Sequence, residues 1–225
     1  SLRIKNSGTL IKIEMRNTLK YLFLVFLIIF VIGILYNPLR ASEISGSEGT
    51  KIYGEVISTF DQPWAISFIN SETMLITTKK GNLWLVDTTG SKKTVGNVPT
   101  VAVGGQGGLG DVIIHPDFAL NNLIYLSYVS SDNFGFSKFA KVIRAKLNIN
   151  SEPSLTEIID IWEQKPATTG SGHFSHRMVF GTAGSDYELD LFISSGDRQK
   201  LAPAQSWDND LGKIIRLKQD GRIPE

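Results

Sequence analysis

Three stretches of this chain share one grammar, and that repetition constrains its fold more than any other feature. The first, PWAISFINSETMLITTKKGNLWLVD (63–87), reads as apolar strand, polar turn, apolar strand, a turn at Gly81 and a further apolar strand. The second is DVIIHPDFALNNLIYLSYV (111–129), continued by KVIRAKLN from Lys141. The third is RMVFG (177–181), then DLFISSGD (190–197), then LGKIIRL (211–217). Short runs of β-branched and aromatic residues closed by Gly, Asn or Asp are strand and turn signals, and no long helical period competes with them. Ala65, Val112 and Val179 hold matching places, at spacings of 47 and 67 residues. A repeat near 45 residues with three or four strands is a propeller-blade signature, with the longer third unit carrying an insertion. Propellers close with four or more blades, because an open fan leaves strand edges and core exposed at both ends. The expected fold class is therefore all-β, an incomplete β-propeller of about three blades over residues 51–225. A generic antiparallel sandwich is the alternative.

The N-terminal region has a different composition. YLFLVFLIIFVIGILY (21–36) is sixteen residues without a charge, preceded by Arg16 and Lys20. That length lies between a signal-peptide core of about 7–15 residues and a membrane span of about 20. Residues 1–40 thus read as upstream residues plus a signal peptide or membrane anchor, a hydrophobic helix. Met15 marks where such a leader would start. Either form places the rest of the chain outside the cytoplasm, periplasmic or membrane-anchored, with the positive flank inside. ASEISGSEGT (41–50) has the composition of a linker. The first forty residues carry a net charge of +5, so the other 185 carry −4 of the total of +1. A mildly acidic body offers no clustered basic face for nucleic acid. With no cysteine in the chain, disulfides, thiolate metal sites and cysteine nucleophiles are excluded.

SGHFSHRMVFG (171–181) holds two of the three histidines. On a strand, side chains three apart point to opposite faces, so His173 and His176 are not expected to chelate one ion. Histidine titrates near pH 6.5, and a carboxylate on its far nitrogen fixes the tautomer and stabilises the imidazolium. Asp197, at the end of DLFISSGD, is the candidate partner. If that strand forms an antiparallel hairpin with RMVFG, Asp197 and His173 meet at one end of the sheet. Two capped turns are the alternative reading. His115, in HPDF, reads as a structural hydrogen-bonder in a turn. Gly104, Gly105, Gly107 and Gly108 surround Gln106 in VGGQGGLGDV, a loop whose backbone can approach a flat ligand closely. It lacks the Lys-Ser/Thr and the helix of a phosphate loop. Asp208 and Asp210 read as a polar turn, because the calcium-loop pattern is absent. The chain has no Gly-x-Ser-x-Gly elbow for serine hydrolysis.

Five of these segments occur together in one family. PWAISFI, GGQGGLGDVIIHPDFALNNLIYLSY, HFSHRMVFG, LFISSGDR and LGKIIRLKQDGRIPE resemble, in order and spacing, the soluble PQQ-dependent aldose sugar dehydrogenases, the glucose/sorbosone dehydrogenase family, over about residues 55–225. The resemblance implies a six-bladed β-propeller with pyrroloquinoline quinone (PQQ) in its central cleft. It implies that His173 is the base that takes the proton of the sugar's anomeric hydroxyl while hydride passes to the quinone, that Asp197 orients it, and that Gln106 contacts substrate. Arg177 and Gly181 match structural positions of the motif. His176 stands where the family motif usually has Gly, crowding the cleft or pointing outward.

The resemblance also implies calcium, a sugar substrate and an electron acceptor. The family's later segments, which carry the cofactor-gripping and calcium-holding residues, have no counterpart before Glu225. The expectation is oxidation of aldoses to lactones by the full-length parent, with this chain a truncated and inactive portion. A carbohydrate- or protein-binding propeller without catalysis is the alternative, and a calcium-dependent lactonase a weaker third.

Overall fold

The computed structural model describes residues 20–27, 42–150 and 152–225. Residues 1–57 and 58–225 form separate compact units. In the first, residues 20–27 are helical with exposed side chains. Strand β1 (Ser42–Ser45) pairs antiparallel with β2 (Lys51–Gly54), so a hairpin occupies most of the segment with linker composition. No helix among the described residues is long and apolar enough to cross a membrane. Most of the apolar run, residues 28–36, lies outside the described residues.

The second unit is built of three successive antiparallel meanders. The first contains β3 (Pro63–Phe68), β4 (Thr73–Thr78), β5 (Asn82–Asp87) and β6 (Lys92–Thr94), paired in chain order. The second contains β7 (Leu109–Ile114), β8 (Leu123–Ser131), β9 (Lys138–Asn148) and β10 (Ser154–Glu163), with the helical turn α1 (Phe118–Asn121) between its first two strands. The third has β11 (Ser175–Phe180), β12 (Asp190–Ser195) and β13 (Lys213–Lys218). The first strands are neighbours, with β7 packed against both β3 and β11, as blade-leading strands are around a propeller axis. The fold is all-β and propeller-type, and its three blades do not close a ring.

The middle blade explains the most apolar run of the body. Ile124 and Leu126 on β8 join Leu75, Leu83 and Val112 in the core between the first two blades. Tyr125, between them in sequence, joins Met178, Leu191 and Ile193 in the core between the second and third. A sheet covered on both faces buries both phases of its alternation, so LIYLSYV shows no polar face. Polar stitches cross the same seams. Thr77 Oγ1 donates to the Gly110 carbonyl at 2.6 Å, and the Met178 N–H donates to Asp111 Oδ2 at 2.8 Å.

Two details differ from the sequence expectation. The residues that lengthen the second interval are not an insertion in the third blade. They form β10, bulged where it pairs with β9, and the connection from Gln164 to Phe174. Val179 is exposed and Met178 takes the buried place, because β11 carries a bulge between Ser175 and Met178 that shifts its phase by one residue.

Candidate active site

The hairpin of β11 and β12 pairs Ser175 with Ser195, which brings the residues just before one strand beside those just after the other. His173 and Asp197 occupy those places, and His173 Nδ1 lies 2.8 Å from Asp197 Oδ1. The Gln199 N–H donates to the same oxygen at 3.0 Å. That bond, followed by the one from His173, holds the Asp197 carboxyl below the usual carboxylate range. An ionised carboxylate only accepts, so the imidazole proton sits on Nδ1 and Nε2 keeps its lone pair. The pair therefore has the electronic form of a general base with an orienting acid.

The segment that carries the base is fixed from the backbone side. The Gln106 side-chain oxygen accepts the His173 N–H at 2.6 Å, while the Gln106 N–H donates to the Ser171 carbonyl at 2.7 Å. Gln106 thus reaches the site by bracing it, and its amide NH2 remains to donate to a ligand. Gly196 passes so close that a Cβ there would lie 1.9 Å from the His173 carbonyl oxygen, which only glycine permits. Lys138 Nζ donates to Ser171 Oγ at 2.8 Å, and Lys79 Nζ donates to the Gly105 carbonyl, tying the glycine loop to the same segment.

Trp64, Gln106, Ser175 and Gly196 join His173, His176 and Asp197 around an open cleft of about 420 Å³. Trp64, 41% exposed, contributes an indole to that lining. A second cleft of about 750 Å³ is larger; of its charged lining, Asp190 pairs with Lys218 and with nearby Arg216, and Asp220 pairs with Arg222.

The strand argument about the two histidines is corrected by the backbone. His173 precedes β11, and His173, Ser175 and His176 all lie at positive φ, 50°, 60° and 49°. The chain there is not pleated, so three-residue spacing does not send the rings to opposite faces. Both rings border the same cleft but make different bonds. His176 neither crowds the cleft nor points outward. It is 2% exposed, with Nδ1 2.8 Å from Ser127 Oγ, which itself accepts the Asp111 N–H.

The other sequence candidates serve the fold. His115 Nδ1 accepts the Asp117 N–H at 2.9 Å while its Nε2 meets Gln219 Oε1 at 2.6 Å. Asp210 Oδ2 accepts the Lys165 N–H, and Asp208 pairs with the Ser206 hydroxyl. Arg177 pairs with the buried Asp111 at 3.2 Å, and the Gly181 N–H donates to the Asp190 carbonyl. Sequence reasoning missed Trp64 and Arg198. Trp64 lay within a quoted motif, as an aromatic one residue out of phase with the buried Ala65. Arg198 followed Asp197 in a polar turn, where an arginine normally signals a solvated surface.

Three unclosed blades with a buttressed His–Asp pair at a cleft define the class: an all-β, propeller-type scaffold. The chain belongs to the glucose/sorbosone dehydrogenase family, whose pattern, described as Glucose / Sorbosone dehydrogenase, matches residues 60–225. It is 35% identical over 168 residues to the aldose sugar dehydrogenase YliI of Escherichia coli (strain K12), covering 73% of this chain and 43% of that protein. The crystal structure of the soluble aldose sugar dehydrogenase from Escherichia coli in the apo-form matches with a TM-score of 0.67 and 33% identity, over 73% of this chain and 46% of that one. The PQQ-bound form of an aldose sugar dehydrogenase from Streptomyces coelicolor, 22% identical, shares the fold with a TM-score of 0.64, over 82% of this chain and 50% of that one. The chain spans half or less of the length of these relatives.

Proposed function

We propose that the whole protein oxidises an aldose to its lactone with PQQ, and that this chain supplies the proton-abstracting side of that reaction. The carrying observation is the His173–Asp197 pair at 2.8 Å on a cleft beside Gln106 and Trp64. His173 Nε2 takes the proton of the anomeric hydroxyl, and ionised Asp197 stabilises the imidazolium that results. The Gln106 amide donates to a sugar hydroxyl, and the Trp64 ring covers an apolar face of the sugar.

PQQ carries three carboxylates, so a pocket that holds it needs cationic side chains. No lysine or arginine is among the residues lining this cleft. Lys79 and Lys138, close by, are bound to Gly105 and Ser171. Among the described residues no three His, Cys, Asp or Glu side chains converge as a metal site would require. The residues present fit the sugar side of the reaction and do not by themselves fit the cofactor or calcium. We therefore assign both to further parts of the protein, and residues 1–225 alone do not turn over.

The test adds PQQ, calcium, glucose and an artificial electron acceptor to residues 1–225, alone and extended by the remainder of a family-length protein. Turnover by the extended form only is expected. Turnover by the short form refutes the division of labour, and none by either form favours a carbohydrate-binding module. The proposal includes export, with residues 21–36 as leader or anchor, and protease accessibility of the propeller in spheroplasts checks it.

A further inference from the structure

We infer that Arg198 is a positioning residue for His173, clamping the 164–174 connection so that the imidazole meets Asp197. The inference rests on the reading of His173 as the base. Arg198 is 1% exposed, and among the described residues no carboxylate forms an ion pair with it. Its guanidinium is spent on the connection. Nε donates to the Gly172 carbonyl at 3.0 Å and Nη2 to the Gly170 carbonyl at 2.8 Å. Nη1 donates to the Lys138 carbonyl at 2.6 Å and lies 3.5 Å from Gln164 Oε1. The guanidinium carbon sits 3.6 Å from the centroid of the Phe174 ring. The Arg198 N–H also donates to the His173 carbonyl at 3.3 Å.

These contacts bracket His173 in sequence: Gly170 and Gly172 before it, Phe174 after it. The bracketed segment has no strand pairing of its own beyond Thr168 with Lys138. His173 at φ 50° and Arg198 at φ 55° both sit in the left-handed region, which persists only where surrounding structure enforces it. A buried cation without a counter-ion is costly, and burial pushes the Arg198 pKa down to about 10. What that cost returns is a planar fork able to hold several carbonyls in one arrangement. A surface turn needs none of this, whereas a base that must stay within hydrogen-bond reach of Asp197 does.

The test reads the position of the base without turnover, so a failure here is separable from a failure of the proposed reaction. The full chain is labelled with nitrogen-15 histidine, and ring tautomers are read by long-range proton–nitrogen correlation. The chain has three histidines. His115, held by Gln219 and sharing no contact with Arg198, reports on the fold. The parent is expected to show His173 as the single Nδ1–H tautomer. Arg198→Met and Arg198→Lys are expected to lose that single signature for a mixture, with His115 unchanged, and Asp197→Asn gives the same loss as a positive control. A His173 signal unchanged in either Arg198 variant overturns the inference. Loss of the His115 signal in both variants also overturns it, since Arg198 would then serve the whole fold rather than the connection.

Discussion

Acidification should destabilise this fold through one side chain. His176 is buried between the second and third blades, with Ser127 as its hydrogen-bond partner. Burial, reinforced by the Arg177 charge, pushes its pKa from 6.5 down to about 4. The unfolded chain therefore binds a proton at His176 between pH 6.5 and about 4 while the folded chain does not. Stability is fully present above pH 6.5, falls through that interval and levels off below it. Each pH unit inside the interval is worth about 1.4 kcal/mol, and integration from pH 7 to 4.5 gives a loss of about 2 kcal/mol. Asp87, Asp132, Asp190, Asp197 and Asp220 have lowered pKa values, so their contributions are lost only below the ordinary carboxylate range, outside this window. Asp111 is raised by burial and acts with the opposite sign, in parent and variant alike. The assay is urea unfolding followed by tryptophan fluorescence at pH 7 and 4.5, for the parent and His176→Gln. The parent should lose about 2 kcal/mol more than the variant over that interval. Equal losses would refute the reasoning.

Gly110→Ala places a Cβ 1.9 Å from His176 Cε1, and overpacking of this kind costs about 1–3 kcal/mol in urea unfolding. His176→Ala in the same chain should relieve it, leaving the double variant less destabilised than the sum of the singles. Asp111→Ala removes the acceptor for the Met178 and Val112 N–H groups and the partner of Arg177, and should cost about 3 kcal/mol by the same measurement. Asp197→Asn in the extended protein should lower kcat by about 10² or more with KM little changed, read in steady-state sugar oxidation.

The blade grammar was legible because it depends on short β-branched and aromatic runs closed by Gly, Asn or Asp, a signal that holds whether one face of a strand is buried or both. Strands β3, β4 and β5 fall inside PWAISFINSETMLITTKKGNLWLVD, and the hairpin that joins His173 to Asp197 follows from DLFISS pairing with the run after His173. Strand β10 escaped notice because SLTEIIDIWE mixes charges with apolar residues and carries irregular register against β9. His176 was misplaced because the alternation argument presumes a pleated backbone, and two successive positive-φ residues remove the pleat. Arg198 was invisible for a different reason. Its contacts go to main-chain carbonyls of Lys138, Gly170 and Gly172, and no pattern of side-chain types marks a carbonyl as a partner.

The central claim is that His173 is the base in a sugar-oxidising cleft. It is tested most directly by the kcat of the extended protein carrying His173→Asn, with PQQ, calcium and an aldose at saturation. Asparagine keeps polarity and approximate size but cannot take a proton near neutral pH. The account predicts a fall in kcat of about 10²–10⁴ with KM close to the parent's, the share that a positioned general base supplies. A kcat within about twofold of the parent would contradict it.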